Sequence, residues 1–187
     1  SIDELDDALR LLDRIRREML EEGYAVEMPK VGVIIEVPSA VYQAEAIARR
    51  VDFMTVGTND LTQYLVAVDR NNSRVAHLYD ELHPAVLQAL IQVVKAGERA
   101  RKPVGVCGSM AGDPLAAILL FAMGFDHLSM SVVSLLKIKM LIRTLPRARA
   151  IDLLNKALTF ENSADIRRLL INCLEEMGLG SLYRAGK

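Results

Sequence analysis

The sequence has no tryptophan, and aromatic residues fill only 5% of its 187 positions. Any core must therefore be aliphatic, built from Leu, Ile, Val and Ala with help from eight methionines. Two cysteines, Cys107 and Cys173, give neither a disulfide framework nor a paired-cysteine metal site. No excess of one charge is present. Lys and Arg number 23 against 24 Asp and Glu, a net charge of -1, which gives no electrostatic case for binding nucleic acid or an anionic membrane. No apolar run reaches the roughly 20 residues of a membrane span, and no signal peptide is visible. A soluble, cytoplasmic protein is the expectation. The length suits one domain with a real core but falls short of a complete (β/α)₈ barrel of usual size. The chain enters a helical pattern at once with no starting Met, so a fragment of a longer protein is expected.

What is present is a repeating order of strands and helices. Leu5, Leu9, Leu12, Ile15 and Met19 recur at helical spacing over residues 3–22. The first turn there carries Asp3, Glu4, Asp6 and Asp7, favourable at a helix N-terminus. "KVGVIIEV" (30–37) is a continuous β-branched run, the mark of a strand covered on both faces. A helix follows from Pro38 to about Arg50. Strands are predicted again at 52–57, 103–108 and 127–131, with helices from about Asn59, from His83-Pro84 to about Arg101, from Asp113-Pro114, and from Ser131 to about Ile142. Residues 146–178 read as two further helices. Residues 181–187, "SLYRAGK", are expected to fray as a flexible tail. Strand–helix alternation calls for a parallel sheet with right-handed crossovers. Four such units fit either a small doubly wound sheet or half of an eight-stranded barrel, and periodicity does not choose between them.

Ligands of parallel sheets bind beyond the carboxyl ends of the strands. Three of the four ends carry chemistry: Glu36, then Asn59-Asp60, then Cys107. Each has a plain structural alternative. Glu36 alone suits an ion pair with Arg49 or Arg50, Asp60 alone a first-turn helix acid, Cys107 alone an inert thiol, and Arg70 alone a solvated surface charge. Together, Glu36 and Asp60 offer two hard oxygen ligands on neighbouring strands, a set that suits Mg²⁺. Cys107 lies between Gly105 and Gly108, which permit close backbone approach. His77, His83 and His127 have no metal-like spacing, and His83 before Pro84 reads as a turn residue.

The combination is more specific than its parts. "GVIIEVPSAV", "GTNDLTQYLVAVDR" and "GVCGSMAGDP" together resemble the phosphoenolpyruvate-utilising enzymes, and within them Enzyme I of the bacterial phosphotransferase systems, over residues 25–145. The closing "LGLGSLYRAGK" is similar to the nitrogen-branch form. The resemblance implies that residues 1–187 are a single unit, the second half of a (β/α)₈ TIM-type barrel, with four parallel strands, crossover helices and C-terminal helices. It implies Mg²⁺ ligands at Glu36 and Asp60, phosphoenolpyruvate contacts at Asn59, Asp60 and Arg70, and a proton-donating Cys107. It further implies a homodimer, and a phosphoryl group passed to a histidine on another domain and on to a histidine-phosphocarrier protein, with release of pyruvate. That histidine domain and two further substrate-binding arginines of the family have no counterpart in these residues, so the isolated chain is expected to be inactive.

Other readings stay open at this point. One is a fragment of pyruvate phosphate dikinase or phosphoenolpyruvate synthase, although "LAVDRNN" follows the Enzyme I pattern better. Another is a dimerisation or regulatory module without catalysis of its own. A third is an unrelated Mg²⁺-dependent barrel enzyme acting on a keto acid, in which the cysteine motif has no evident task.

Overall fold

In the computed structural model, which describes residues 1–184, the β-branched runs form four short strands: β1 (Gly32–Ile35), β2 (Phe53–Gly57), β3 (Val104–Cys107) and β4 (His127–Ser129). All pair in parallel, in the order β1-β2-β3-β4. A doubly wound sheet reverses its strand order at a switch point. Here each new strand is added on the same side, as in the successive staves of a barrel. The sequential order settles the alternative that periodicity left open: the fold is α/β with the winding of half a (β/α)₈ barrel.

The pleat sorts the side chains into two faces. Ile35, Met54, Val56, Val104 and Val106 point into the core and are at most 2% exposed. The other face carries Ile34, Phe53, Thr55, Gly105 and His127, with Ile34 left 55% exposed. β1 and β4 each have an unpaired edge among the described residues.

The crossovers follow the predicted pattern with local departures. Helix α1 (Ile2–Glu21) carries a full capping box, Ser1 with Glu4, and touches the core through Ile2 and Leu5. Arg50 Nε ties it to Asp6 at 2.8 Å. The single helix expected over 38–50 is two, α2 (Pro38–Tyr42) and α3 (Ala44–Ala48), because the chain leaves helical geometry at Gln43. Next come α4 (Thr58–Leu65) and α5 (Pro84–Ala100). His83 does more than turn the chain: its Nδ1 accepts the N–H of Ala85 and caps α5. A four-residue turn, α6 (Ser109–Gly112), precedes α7 (Pro114–Met123), whose capping carboxylate, Asp113, accepts from the N–H groups of Leu115 and Ala116.

α7, "PLAAILLFAM", is apolar on every side and almost wholly buried. It becomes the hub on which α8 (Val132–Thr144), α9 (Arg147–Ala157) and α10 (Ser163–Glu176) pack. The tail expected to fray is in part helical, as α11 (Gly180–Arg184), because Leu182 and Tyr183 pack against the core. Residues 185–187 of that expectation lie outside the described residues.

Candidate active site

The carboxyl ends of β1, β2 and β3 converge. Gly57 ends β2 and is registered against Cys107, which ends β3 and is registered in turn against Ser129 of β4. Glu36 follows β1 directly and bends over Gly57: a Cβ on that glycine would lie 2.9 Å from Glu36 Oε2. Any larger residue at that position would push the carboxylate aside. Glu36 also raises the pKa of the Cys107 thiol, second to the thiol's own burial. Both effects favour the proton on sulfur, since a partly buried thiolate facing a carboxylate is doubly unfavourable.

Glu36 is exposed and makes no hydrogen bond or ion pair among the described residues. The arginines that could have neutralised it are engaged elsewhere, Arg49 with Glu45 and Arg50 with Asp6. Asp60, in the first turn of α4, is half-buried and likewise without a partner. Two uncompensated carboxylates at neighbouring strand ends could hold a hard cation that keeps water in its other positions. Among the described residues no group of three or more His, Cys, Asp or Glu could hold a metal by itself.

Asn59 is fixed from the other side. Its Oδ1 accepts the N–H of Ser109 at 3.0 Å and lies 2.7 Å from the Ser109 hydroxyl. Thr58, fully buried, donates to the Cys107 carbonyl at 2.9 Å. Gly108, with φ +113°, passes so close that a Cβ would sit 2.4 Å from Thr58 Oγ1. An open cavity of ≈ 750 Å³ begins at Asn59, Cys107 and Ser109 and runs to Lys137 and Arg167. Glu36, Asp60 and Arg70 are not among its walls. Arg70, exposed, lies beyond α4, where its charge is felt by Tyr79. The structure thus brings Glu36, Asn59 and Cys107 to one rim, with Asp60 beside Asn59 and Arg70 at the margin. Cys173 is buried in α10, away from that rim.

Sequence reasoning missed Tyr79, Glu81 and Ser109. Tyr79 Oη and Ser109 Oγ stand 3.3 and 2.6 Å from Glu81 Oε1, and Glu81 lines the same cavity as Asn59. Burial pushes the Glu81 carboxyl above its ordinary value. The one signal available was a pair of acids, Asp80-Glu81, just before His83-Pro84.

Comparison with known proteins places the chain in a family. A family model described as the PEP-binding domain of PEP-utilising enzymes matches residues 1–147. The phosphoenolpyruvate-dependent phosphotransferase system protein of Escherichia coli K12 is 43% identical over 187 residues, all of this chain and 25% of its own length. The phosphoenolpyruvate-protein phosphotransferase of Haemophilus influenzae is 41% identical over 180 residues, 96% of this chain and 31% of its own. The multiphosphoryl transfer protein of Rhodobacter capsulatus is 43% identical over 168 residues, 90% and 20% respectively. The chain therefore spans less than a third of the length of these relatives. With the family model covering most of its residues and the sheet wound as that fold requires, the chain belongs to the PEP-binding domain family of the PEP-utilising enzymes.

Proposed function

We propose that this chain is the phosphoenolpyruvate-binding part of a phosphotransferase that passes the phosphoryl group to a histidine on another domain and releases pyruvate. The observation that carries the reading is the rim itself: two unpartnered carboxylates, a fixed carboxamide and a protonated thiol at three adjacent strand ends. The names of the relatives support this phosphotransferase over a dikinase or synthase.

Phosphoryl transfer asks a protein mainly for alignment and charge neutralisation. Glu36 and Asp60 would hold Mg²⁺, which supplies positive charge against the carboxylate and phosphate of the substrate. Asn59 offers its Nδ2 hydrogens to phosphoryl oxygens, its Oδ1 being committed to Ser109. Arg70 provides a planar fork of donors for the same oxygens. Breaking the phosphorus–oxygen bond leaves the enolate of pyruvate, whose methylene carbon takes the proton of Cys107 Sγ. In the reverse direction the thiolate takes it back.

The same reading assigns a homodimer and a cytoplasmic site of action. Support for association comes from α8, where Val132, Val133, Leu136 and Met140 are all more than half exposed. No helix among the described residues is long and apolar enough to cross a membrane. The test is to supply phosphoenolpyruvate and Mg²⁺ to the protein carrying this segment and measure phosphohistidine. Metal-dependent labelling is expected, and its absence overturns the reading.

A further inference from the structure

The cavity lined by Asn59 and Cys107 also holds a carboxylate that the transfer just described leaves idle. Glu81 sits on the loop between α4 and α5, folded back over the start of α4. Ser109 Oγ stands 2.6 Å from Glu81 Oε1 and 2.7 Å from Asn59 Oδ1. Both neighbours are oxygens, and a hydroxyl has one proton to give. The Asn59 amide cannot solve the conflict by turning over, because its Oδ1 also accepts the Ser109 N–H. The three contacts between Ser109 and its two neighbours are all satisfied when Glu81 carries a proton and donates it to Ser109 Oγ, and Ser109 donates to Asn59 Oδ1. With Glu81 ionised, the hydroxyl turns to the carboxylate and Asn59 keeps a single bond.

We propose that Glu81 is a positioning residue that acts through the Ser109 hydroxyl to hold the Asn59 carboxamide with its Nδ2 hydrogens free for the substrate. The inference rests on the phosphoenolpyruvate reading for what Asn59 grips, and on the hydrogen-bond chain for everything else. The surroundings of Glu81 favour the protonated form. It is largely buried, and Asp113 ahead of α7 adds negative charge. Of the cations on the cavity wall, Arg167 of α10 is committed to Asp80 at 2.9 Å. Lys137 of α8 lines the same cavity and has no ion pair among the described residues. Tyr79, pushed up to about 12 chiefly by burial, stays a donor and reaches the Asn59 carbonyl and Glu81 Oε1, both at 3.3 Å. Hydrogen bonds from Ser109, Tyr79 and the Met110 backbone act the other way, and burial outweighs them.

The experiment pairs kinetics in the protein carrying this segment with NMR of this chain. Glu81→Ala and Ser109→Ala should each raise KM for phosphoenolpyruvate about tenfold, the scale of one lost hydrogen bond, with kcat changed far less. The double variant should be no worse than either single one, because both break one chain. Glu81→Gln, whose amide can donate to Ser109 at every pH, should rescue binding. It should also hold KM flat where that of the wild type climbs as Glu81 ionises. The Asn59 side-chain amide signals of this chain should titrate with Glu81 in the wild type and not in Glu81→Gln. Active wild-type protein whose KM and Asn59 signals ignore all three substitutions overturns the positioning role. An Asn59 titration in a protein without phosphotransfer keeps the coupling and overturns the phosphoenolpyruvate reading instead.

Discussion

Thr58 Oγ1 donates to the carbonyl oxygen of Cys107 across 2.9 Å, joining the first residue of α4 to the last residue of β3. The backbone beyond Cys107 then passes under Thr58 and Asn59 at Gly108, which has φ +113° and no room for a Cβ. The amide, the acid beside it and the thiol therefore belong to one rigid piece of rim.

Substitutions at that joint should cost stability. Gly108→Ala places a Cβ 2.4 Å from Thr58 Oγ1 in a backbone conformation L residues avoid, a penalty of about 1–3 kcal/mol before the clash is counted. Thr58→Val leaves the Cys107 carbonyl without its side-chain donor, at roughly 1–3 kcal/mol. Urea unfolding should show lower midpoints at unchanged slope for both. Wild-type midpoints would mean that the two segments are not held in this way.

The carboxylates should behave in the opposite manner. Glu36→Ala and Asp60→Ala remove groups with no protein partner, so stability should stay within about 0.5 kcal/mol of the wild type. Metal-dependent formation of phosphohistidine should be abolished in each. Near-normal labelling by either variant at saturating Mg²⁺ takes that residue out of the site.

The strands, their polar ends and the rim residues Glu36, Asn59, Asp60 and Cys107 were legible because a buried parallel strand is a local pattern with a visible stop. The break at Gln43 was not, since "PSAVYQAEAIARR" keeps helical spacing across it. Glu81 was hidden for a different reason. Its place beside Ser109 depends on how residues 66–83 fold back over α4, and no periodicity encodes that path. Strand order was beyond periodicity too, because both candidate topologies bury the same residues. The short C-terminal helix α11 forms through contacts of Leu182 and Tyr183 with distant parts of the core, which a seven-residue stretch does not advertise.

Glu81 also predicts a pH dependence of stability. Its folded pKa is raised above about 4.5, so the unfolded state loses its proton first as pH rises. The stability it contributes is full below about pH 4.5 and is lost as pH climbs through the folded value. Glu81→Gln should therefore be more stable than the wild type at neutral pH, the gap closing towards pH 4.5. Denaturant midpoints measured across this range check it. Parallel curves for the two proteins would contradict a raised Glu81.

The surface of α8 predicts association. Val132 and Val133 are 84% and 83% exposed and Leu136 is 76% exposed, beyond what an isolated surface usually leaves bare. The sheet edges at β1 and β4 add unpaired backbone groups. This chain should run as a dimer or larger species in light scattering after size exclusion, and Leu136→Glu should shift it towards monomer. A monomeric wild-type chain would contradict the expectation.

Pyruvate–phosphoenolpyruvate isotope exchange tests the central claim most directly, because it requires bound pyruvate to give up a methyl proton and the resulting enolate to regain one. In the protein carrying this segment, exchange should depend on Mg²⁺. It should fall by about 10²–10⁴ in Cys107→Ala, the scale of a lost general acid, and stay unchanged in Cys173→Ala. Rapid exchange in Cys107→Ala, or an equal loss in Cys173→Ala, would contradict the account.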